Sequence, residues 1–209
     1  MLQGPYRNCY SRVYVFSPAC APGVDSAWVP WRRHVRIHMR VPDDEQTMRS
    51  TWEPSMLEQL IERHQKVNAY LKAKQQTKCY TICVLADDFA DAGDKAMHSS
   101  TNVLTSLFVR GRHPGCACWL PTQKQKVIST NMSTNLCWLL VRRLRNSKEL
   151  IGILEKLDAL HDRKVLMAMY QLATSKTRLL VYKPLIGQGT DVFSNKSTIA
   201  WLLTSVHVK

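Results

Sequence analysis

The segment Cys79–Ala86, with the sequence CYTICVLA, is apolar at every position except Thr81 and runs directly into Asp87 and Asp88. A β-strand has this composition when both of its faces are covered, as in a parallel sheet with helices on either side. Further runs of strand length, largely apolar, lie at Arg12–Phe16, Cys116–Leu120, Leu136–Val141 and Arg178–Lys183. Each of these runs is a candidate strand of one sheet.

Between the candidate strands, apolar residues recur at the spacing of an α-helix. Ser55 and Glu58 form a capping box, which marks the start of a helix. Asn146 and Asp162 are the predicted N-caps of two later helices. Helices are predicted from Ser55 to about Gln76, from about Asp94 to Val109, and as a pair within Lys148–Ala173. Strands alternating with helices indicate an α/β fold, with a parallel central sheet and helices on both of its faces.

The segment Trp28–Val41 mixes apolar residues with basic ones. Its apolar members Val35, Ile37, Met39 and Val41 alternate with Arg36, His38 and Arg40. A period of two predicts a half-exposed strand, with one apolar face and one basic face.

Composition restricts the classes of protein to which the chain can belong. Its 209 residues carry 29 Lys+Arg against 16 Asp+Glu, a formal net charge of 29 − 16 = +13. Such a surplus favours a nucleic-acid partner, because basic side chains release counterions from phosphates, although a basic surface without a partner is equally compatible with it. No apolar run approaches the roughly 18 residues that span a bilayer, and no secretory signal follows Met1. Seven cysteines, an odd number, fit reduced thiols in the cytoplasm or nucleus.

Three of the predicted strands end in conspicuous polar groups. Asp87-Asp88 follows the first, Thr122-Gln123 the second and Arg142–Arg145 the third. Groups that carry out chemistry collect at the carboxyl ends of parallel strands, and paired carboxylates suit Mg²⁺. In a nucleotide hydrolase, one acid would hold Mg²⁺, the other would orient water, and amide and guanidinium groups would contact the γ-phosphate. Taken singly, each group also fits a loop entry or a solvated surface.

Three segments, in this order and spacing, resemble the genome-packaging ATPases of large DNA viruses. These poxvirus-type enzymes belong to the FtsK/HerA group of DNA-pumping motors. The segments are Cys79–Asp91, Arg110–Gln123 and Leu140–Asn146. The resemblance implies a P-loop NTPase fold of the RecA-like type that is incomplete at its N-terminus. It makes residues 1–186 a packaging-ATPase-like domain without its phosphate-binding strand, and residues 187–209 a C-terminal tail of unknown role.

The resemblance also implies roles for single residues. Asp87 matches the acid that coordinates Mg²⁺, and Asp88 matches the acid that polarises the attacking water. Gln123 matches the sensor of the bound nucleotide. Basic positions near the subunit interface, a region with arginine-finger roles, are matched by Arg112, Arg143 and Arg145. The implied cofactors are ATP and Mg²⁺. The implied partners are duplex DNA, bound without sequence preference, and a ring of identical or related ATPase subunits, in the cytoplasm, nucleus, virus factory or virion.

The sequence contains no Gly-x-x-x-x-Gly-Lys-Ser/Thr loop, which supplies the N–H groups and the lysine that hold phosphates. In the resembled family this loop precedes the position matched by Arg12–Phe16, so we expect the chain to begin after it. One hypothesis is therefore a DNA-translocation ATPase domain that is inactive alone. The alternatives are a non-hydrolysing DNA-binding or motor-docking remnant and an unrelated basic α/β domain. Removal of a central strand would also expose a long apolar sheet edge, which would invite aggregation or a partner strand.

Overall fold

A computed structural model describes residues 8–76, 80–87, 102–111, 115–122, 128–136, 138–157, 162–176, 179–182 and 199–202. A parallel sheet of four strands forms its centre, in the spatial order β2-β1-β3-β4. These strands are β1 (Arg12–Phe16), β2 (Met48–Arg49), β3 (Ile82–Ala86) and β4 (Cys116–Trp119). The α/β fold with a parallel sheet, which the sequence predicts, is confirmed.

A second sheet has the order β6-β5-β7. Its strands are β5 (Trp138–Arg142), β6 (Leu179–Tyr182) and β7 (Ile199–Leu202). The strand β7 runs parallel to β5, whereas β6 runs antiparallel to it. Because β7 also contacts β4, the two sheets meet along β7. The antiparallel β6 departs from the all-parallel sheet that the sequence predicts.

Helices surround the sheets. They are α1 (Val29–His38), α2 (Pro54–Ala73), α3 (Val103–Arg110), α4 (Thr130–Thr134), α5 (Ser147–Leu157) and α6 (Arg163–Lys176). No helix among the described residues combines the length and the apolar character needed to cross a membrane.

The helix N-termini test the predicted caps. Asn146 accepts a hydrogen bond from the backbone N–H of Lys148 at 2.9 Å, and Asp162 accepts one from that of Lys164 at 2.7 Å, so both predicted caps are confirmed. The capping box at Ser55 is wrong, because α2 already begins at Pro54, without a side-chain cap. The predicted start of α3 near residue 94 lies outside the described residues.

The core lies on both faces of the sheet, which explains the continuous apolar run of β3. Every residue of β3 is buried. On one face, Val84 packs in a cluster with Leu57 of α2 and Phe108 of α3. On the other face, Cys83 packs in a cluster with Trp119 of β4 and, at its margin, with α1. Alternate residues of one strand therefore belong to two separate clusters.

The predicted strand within Trp28–Val41 is wrong, since residues 29–38 form the helix α1. The apolar residues Trp28, Trp31, Val35 and Met39 have helical spacing. Trp28, Trp31 and Met39 pack against the sheet, and Val35 is buried. Ile37, which completed the apparent period of two, is 55% exposed. Tertiary contacts with the two tryptophans therefore select the helix.

The cysteines that the structure describes are all free. Cys83, Cys116 and Cys118 are buried, as predicted, whereas Cys79 and Cys137 lie outside the described residues. Burial raises the pKa of the Cys83 thiol well above its ordinary value and that of Cys116 to about 12. These thiols therefore act as small apolar side chains.

Candidate functional site

Asp87 lies at the carboxyl end of β3, in the middle of the parallel sheet. The ladder between β1 and β3 continues past both strands, because the backbone N–H of Asp87 donates to the carbonyl of Phe16 at 2.8 Å. Directly after Phe16, the hydroxyl of Ser17 donates to the Asp87 carboxylate at 3.1 Å. Ser17 is fully buried and Asp87 is half-buried. The carboxylate is thus held by the neighbouring strand while part of it remains accessible.

Thr122 lies at the same edge of the sheet. Leu85 of β3 is opposite Trp119 of β4, so the positions after the two strands adjoin, and Thr122 is buried there. The sequence predicts this juxtaposition of Asp87 with the end of β4. Asp88, Gln123 and Arg112, the other predicted residues of this region, lie outside the described residues, and their roles stay predictions.

Positive charge also reaches this edge. The guanidinium of Arg32, on α1, donates a hydrogen bond to the carbonyl of Cys20. Burial raises the pKa of the Cys20 thiol, and the negative charge of Asp87 adds to this rise, whereas the Ser17 backbone and the positive charge of Arg32 oppose it. Arg32 and Asp87 therefore act on the same small region at the carboxyl ends of β1 and β3.

Arg143 and Arg145 follow β5 and are exposed. Leu144, between them, is fixed by its backbone N–H, which donates to the hydroxyl of Tyr170 at 2.6 Å. Tyr170 belongs to α6 and in turn donates to the carbonyl of Arg142 at 3.4 Å. Among the described residues, neither guanidinium forms a hydrogen bond or an ion pair with Asp87. The structure thus presents both arginines to solvent and does not bring them onto the acid.

The oxygen atoms near Asp87 are of the kind that Mg²⁺ prefers. The described residues supply one carboxylate and one hydroxyl, those of Asp87 and Ser17. Within the part of the chain that the structure describes, no three His, Cys, Asp or Glu side chains cluster closely enough to hold a metal. The described residues therefore offer Mg²⁺ a single carboxylate, that of Asp87, and do not by themselves form a metal site.

Ser17 was missed by the sequence prediction. The sequence does contain one feature that could have identified Ser17 as a site residue. Ser17 follows the predicted strand Arg12–Phe16 just as Asp87 follows the buried strand β3. In a parallel sheet both positions belong to the carboxyl edge. That Ser17 contacts Asp87 depends on β1 and β3 being neighbours, and residues 17–81 separate the two strands in the chain.

A second candidate site is the basic surface of α1, which we define as Arg33, Arg36 and Arg40. All three residues are exposed. Arg33 and Arg36 lie one helical turn apart, and Arg40 follows the end of the helix. A groove of about 770 Å³ separates α1 from residues 41–48. Across it, Asp43 forms an ion pair with Arg36, with 2.6 Å between the nitrogen and oxygen atoms.

Comparison of the chain with models of known protein families, with curated proteins and with solved structures finds no match.

Proposed function

We propose that this chain is a DNA-translocation ATPase domain of the packaging type, which binds Mg²⁺–ATP weakly and does not hydrolyse it alone. The observation that supports this proposal is the placement of Asp87. Its carboxylate lies at the carboxyl end of a central parallel strand and accepts a hydrogen bond from Ser17 on the neighbouring strand. In open α/β sheets, ligands bind at this edge.

The proposed roles follow from the chemistry of the side chains. Asp87 would hold Mg²⁺, which would neutralise negative charge on the phosphates of ATP, and Asp88 would orient the attacking water. Gln123 would contact the γ-phosphate. Arg143 and Arg145, exposed after β5, act on the nucleotide of an adjacent subunit in a ring.

The expected lack of hydrolysis has a chemical reason. A triphosphate is held by backbone N–H groups and a lysine in a glycine-rich loop, which neutralise charge on the β- and γ-phosphates. These 209 residues contain no such loop. Asp87 would then still coordinate Mg²⁺, but no glycine-rich loop of these residues would position the phosphates of ATP.

The experiment compares the wild-type chain with Asp87→Asn, Asp88→Asn and the exposed control Asp44→Asn. We expect a fluorescent ATP analogue to bind more tightly with Mg²⁺ than without it, and Asp87→Asn to abolish this difference while Asp44→Asn preserves it. We expect ATP turnover by the wild type to equal that by Asp88→Asn. Turnover that Asp88→Asn abolishes would contradict the proposed lack of hydrolysis. Absence of Mg²⁺-dependent binding would exclude the nucleotide site.

A second candidate function, DNA binding without hydrolysis, is favoured by a separate observation. The basic surface of α1 exposes Arg33 and Arg36 on the helix and Arg40 just after its end. Exposed guanidinium groups at this spacing can reach several phosphates of one duplex. DNA binding is expected of the ATPase domain and of the non-hydrolysing remnant alike. DNA binding in the absence of Mg²⁺-dependent nucleotide binding would therefore favour the remnant.

A further inference from the structure

The last described strand, β7, occupies the space between the two sheets. It pairs in parallel with β5, from Trp138 opposite Ile199 to Val141 opposite Leu202. It also contacts β4, with which it forms no strand pairing. We call the space between β4 and β5 that β7 fills the β4–β5 slot. β7 therefore both pairs with β5 and contacts β4.

The strands that flank the slot need a partner. Cys116–Trp119 of β4 is buried throughout, and residues 139–141 of β5 are buried as well. An unpaired backbone N–H or carbonyl costs free energy when it is shielded from water, and an open strand edge is a template for another strand. The slot therefore favours an extended segment with apolar side chains, added parallel to β5.

The occupant is short and comes at the end of the described chain. β7 has four residues, IAWL, so that few backbone hydrogen bonds hold it. In the sequence, sixteen residues separate β7 from β6.

We propose that the β4–β5 slot is a binding site for an extended apolar peptide and that β7 is its exchangeable occupant. The occupant is the strand Ile199–Leu202, from the same chain at low concentration and from a second copy at high concentration. Exchange of an identical element between copies costs little, because each copy forms the same pairings. The inference rests on the strand pairings and is independent of the nucleotide site.

The first test joins the slot to its occupant covalently in the full chain. Leu139 is opposite Ala200, so in Leu139→Cys/Ala200→Cys the two thiols are close enough for a disulfide. In the control Leu139→Cys/Leu202→Cys, the two-residue register offset separates the Cα atoms by about 8 Å, beyond the roughly 7 Å limit for a disulfide. We expect a bond within one chain at low concentration and between differently tagged chains at high concentration. Equal cross-linking of both pairs would overturn the assigned register, and bonds within single chains at every concentration would overturn exchange.

The second test uses a free fluorescent peptide with the sequence of residues 197–204. Ala200→Pro/Trp201→Pro in the full chain removes two consecutive N–H groups, one of which faces β5, and so weakens the chain's own strand. Because a tethered strand has a high effective concentration, we expect this variant to bind the peptide at least about tenfold more tightly than the wild type. A peptide with the same two prolines is the control. If the folded variant does not bind the peptide, the slot is not a peptide site. If the variant is unfolded, the disulfide test in the otherwise unchanged chain decides.

Discussion

Neutralising the basic surface of α1 tests whether this helix contacts DNA. Arg33, Arg36 and Arg40 are exposed, so replacing each with glutamine removes three positive charges and leaves the packed side of the helix unchanged. Each phosphate contact releases counterions, which makes affinity fall as salt rises. The variant Arg33→Gln/Arg36→Gln/Arg40→Gln should therefore bind duplex DNA more weakly and with a smaller dependence on salt.

The expected magnitude follows from the three charges. The slope of log affinity against log salt concentration changes by about 0.9 for each phosphate contact, or about 2.7 for three. Between 50 and 200 mM salt, a slope difference of this size corresponds to about 40-fold. The wild-type affinity should thus fall about 40-fold further over this range than the affinity of the variant.

The assay is fluorescence anisotropy with two duplexes of unrelated sequence, titrated at several salt concentrations. Substituting lysine at the same three positions keeps the charge and should preserve the wild-type slope. Replacing Lys66, Lys72 and Lys74 with glutamine removes the same charge from exposed positions on α2 and directly after it, and controls for the net charge of the chain. If the α1 and α2 glutamine variants have equal slopes, the reasoning about α1 is refuted. A large difference in affinity between the duplexes would contradict phosphate contact as its source.

Three further predictions concern the ion pair, the core and the buried thiols. Asp43→Asn frees Arg36 from its ion pair; because the three contacts counted above already include Arg36, the same titrations should give tighter DNA binding with an unchanged slope, and weaker binding would argue against contact at Arg36. Leu57→Ala removes a fully buried side chain and should lower the free energy of unfolding in urea by about 2–5 kcal/mol; Tyr70→Ala, at a 63% exposed position, should change it by less than about 0.5 kcal/mol. Because the pKa of Cys116 rises from 9.0 to about 12 on folding, only the unfolded chain loses this proton between these values. The free energy of unfolding should therefore fall as pH rises above 9. The free energy of unfolding of Cys116→Ala should fall less steeply over the same range. Stability that stays constant from pH 8 to 11 would contradict this assignment.

The contrast between β3 and α1 shows how far local pattern predicts the fold. All five residues of β3 are buried, so its apolar run predicts a strand in any fold that covers both faces of the sheet. The segment around α1 satisfies two periods at once, because Val35 and Met39 fit both a strand and a helix. Packing of Trp28 and Trp31 against the sheet favours the helical period, and that packing depends on residues distant in the chain.

The candidate site likewise combines residues that the sequence pattern predicts with contacts that it does not predict. Asp87 was predictable because it ends a recognisable strand, and Thr122 because it ends the next one. The hydrogen bond from Ser17 was not predictable from pattern, since it requires β1 to lie beside β3. The exposure of Arg143 and Arg145 likewise depends on Tyr170 of α6, which holds the backbone of Leu144.

Composition and periodicity indicate which segments are buried strands, where acidic groups follow them, and that the chain is strongly basic. The three-dimensional arrangement was needed to establish which strands are neighbours, that the basic residues near position 36 lie on a helix, and that β7 pairs with β5 and contacts β4. This is because periodicity along a chain reflects which side chains avoid water. Strand adjacency, in contrast, depends on hydrogen bonds and packing between segments that are far apart in sequence.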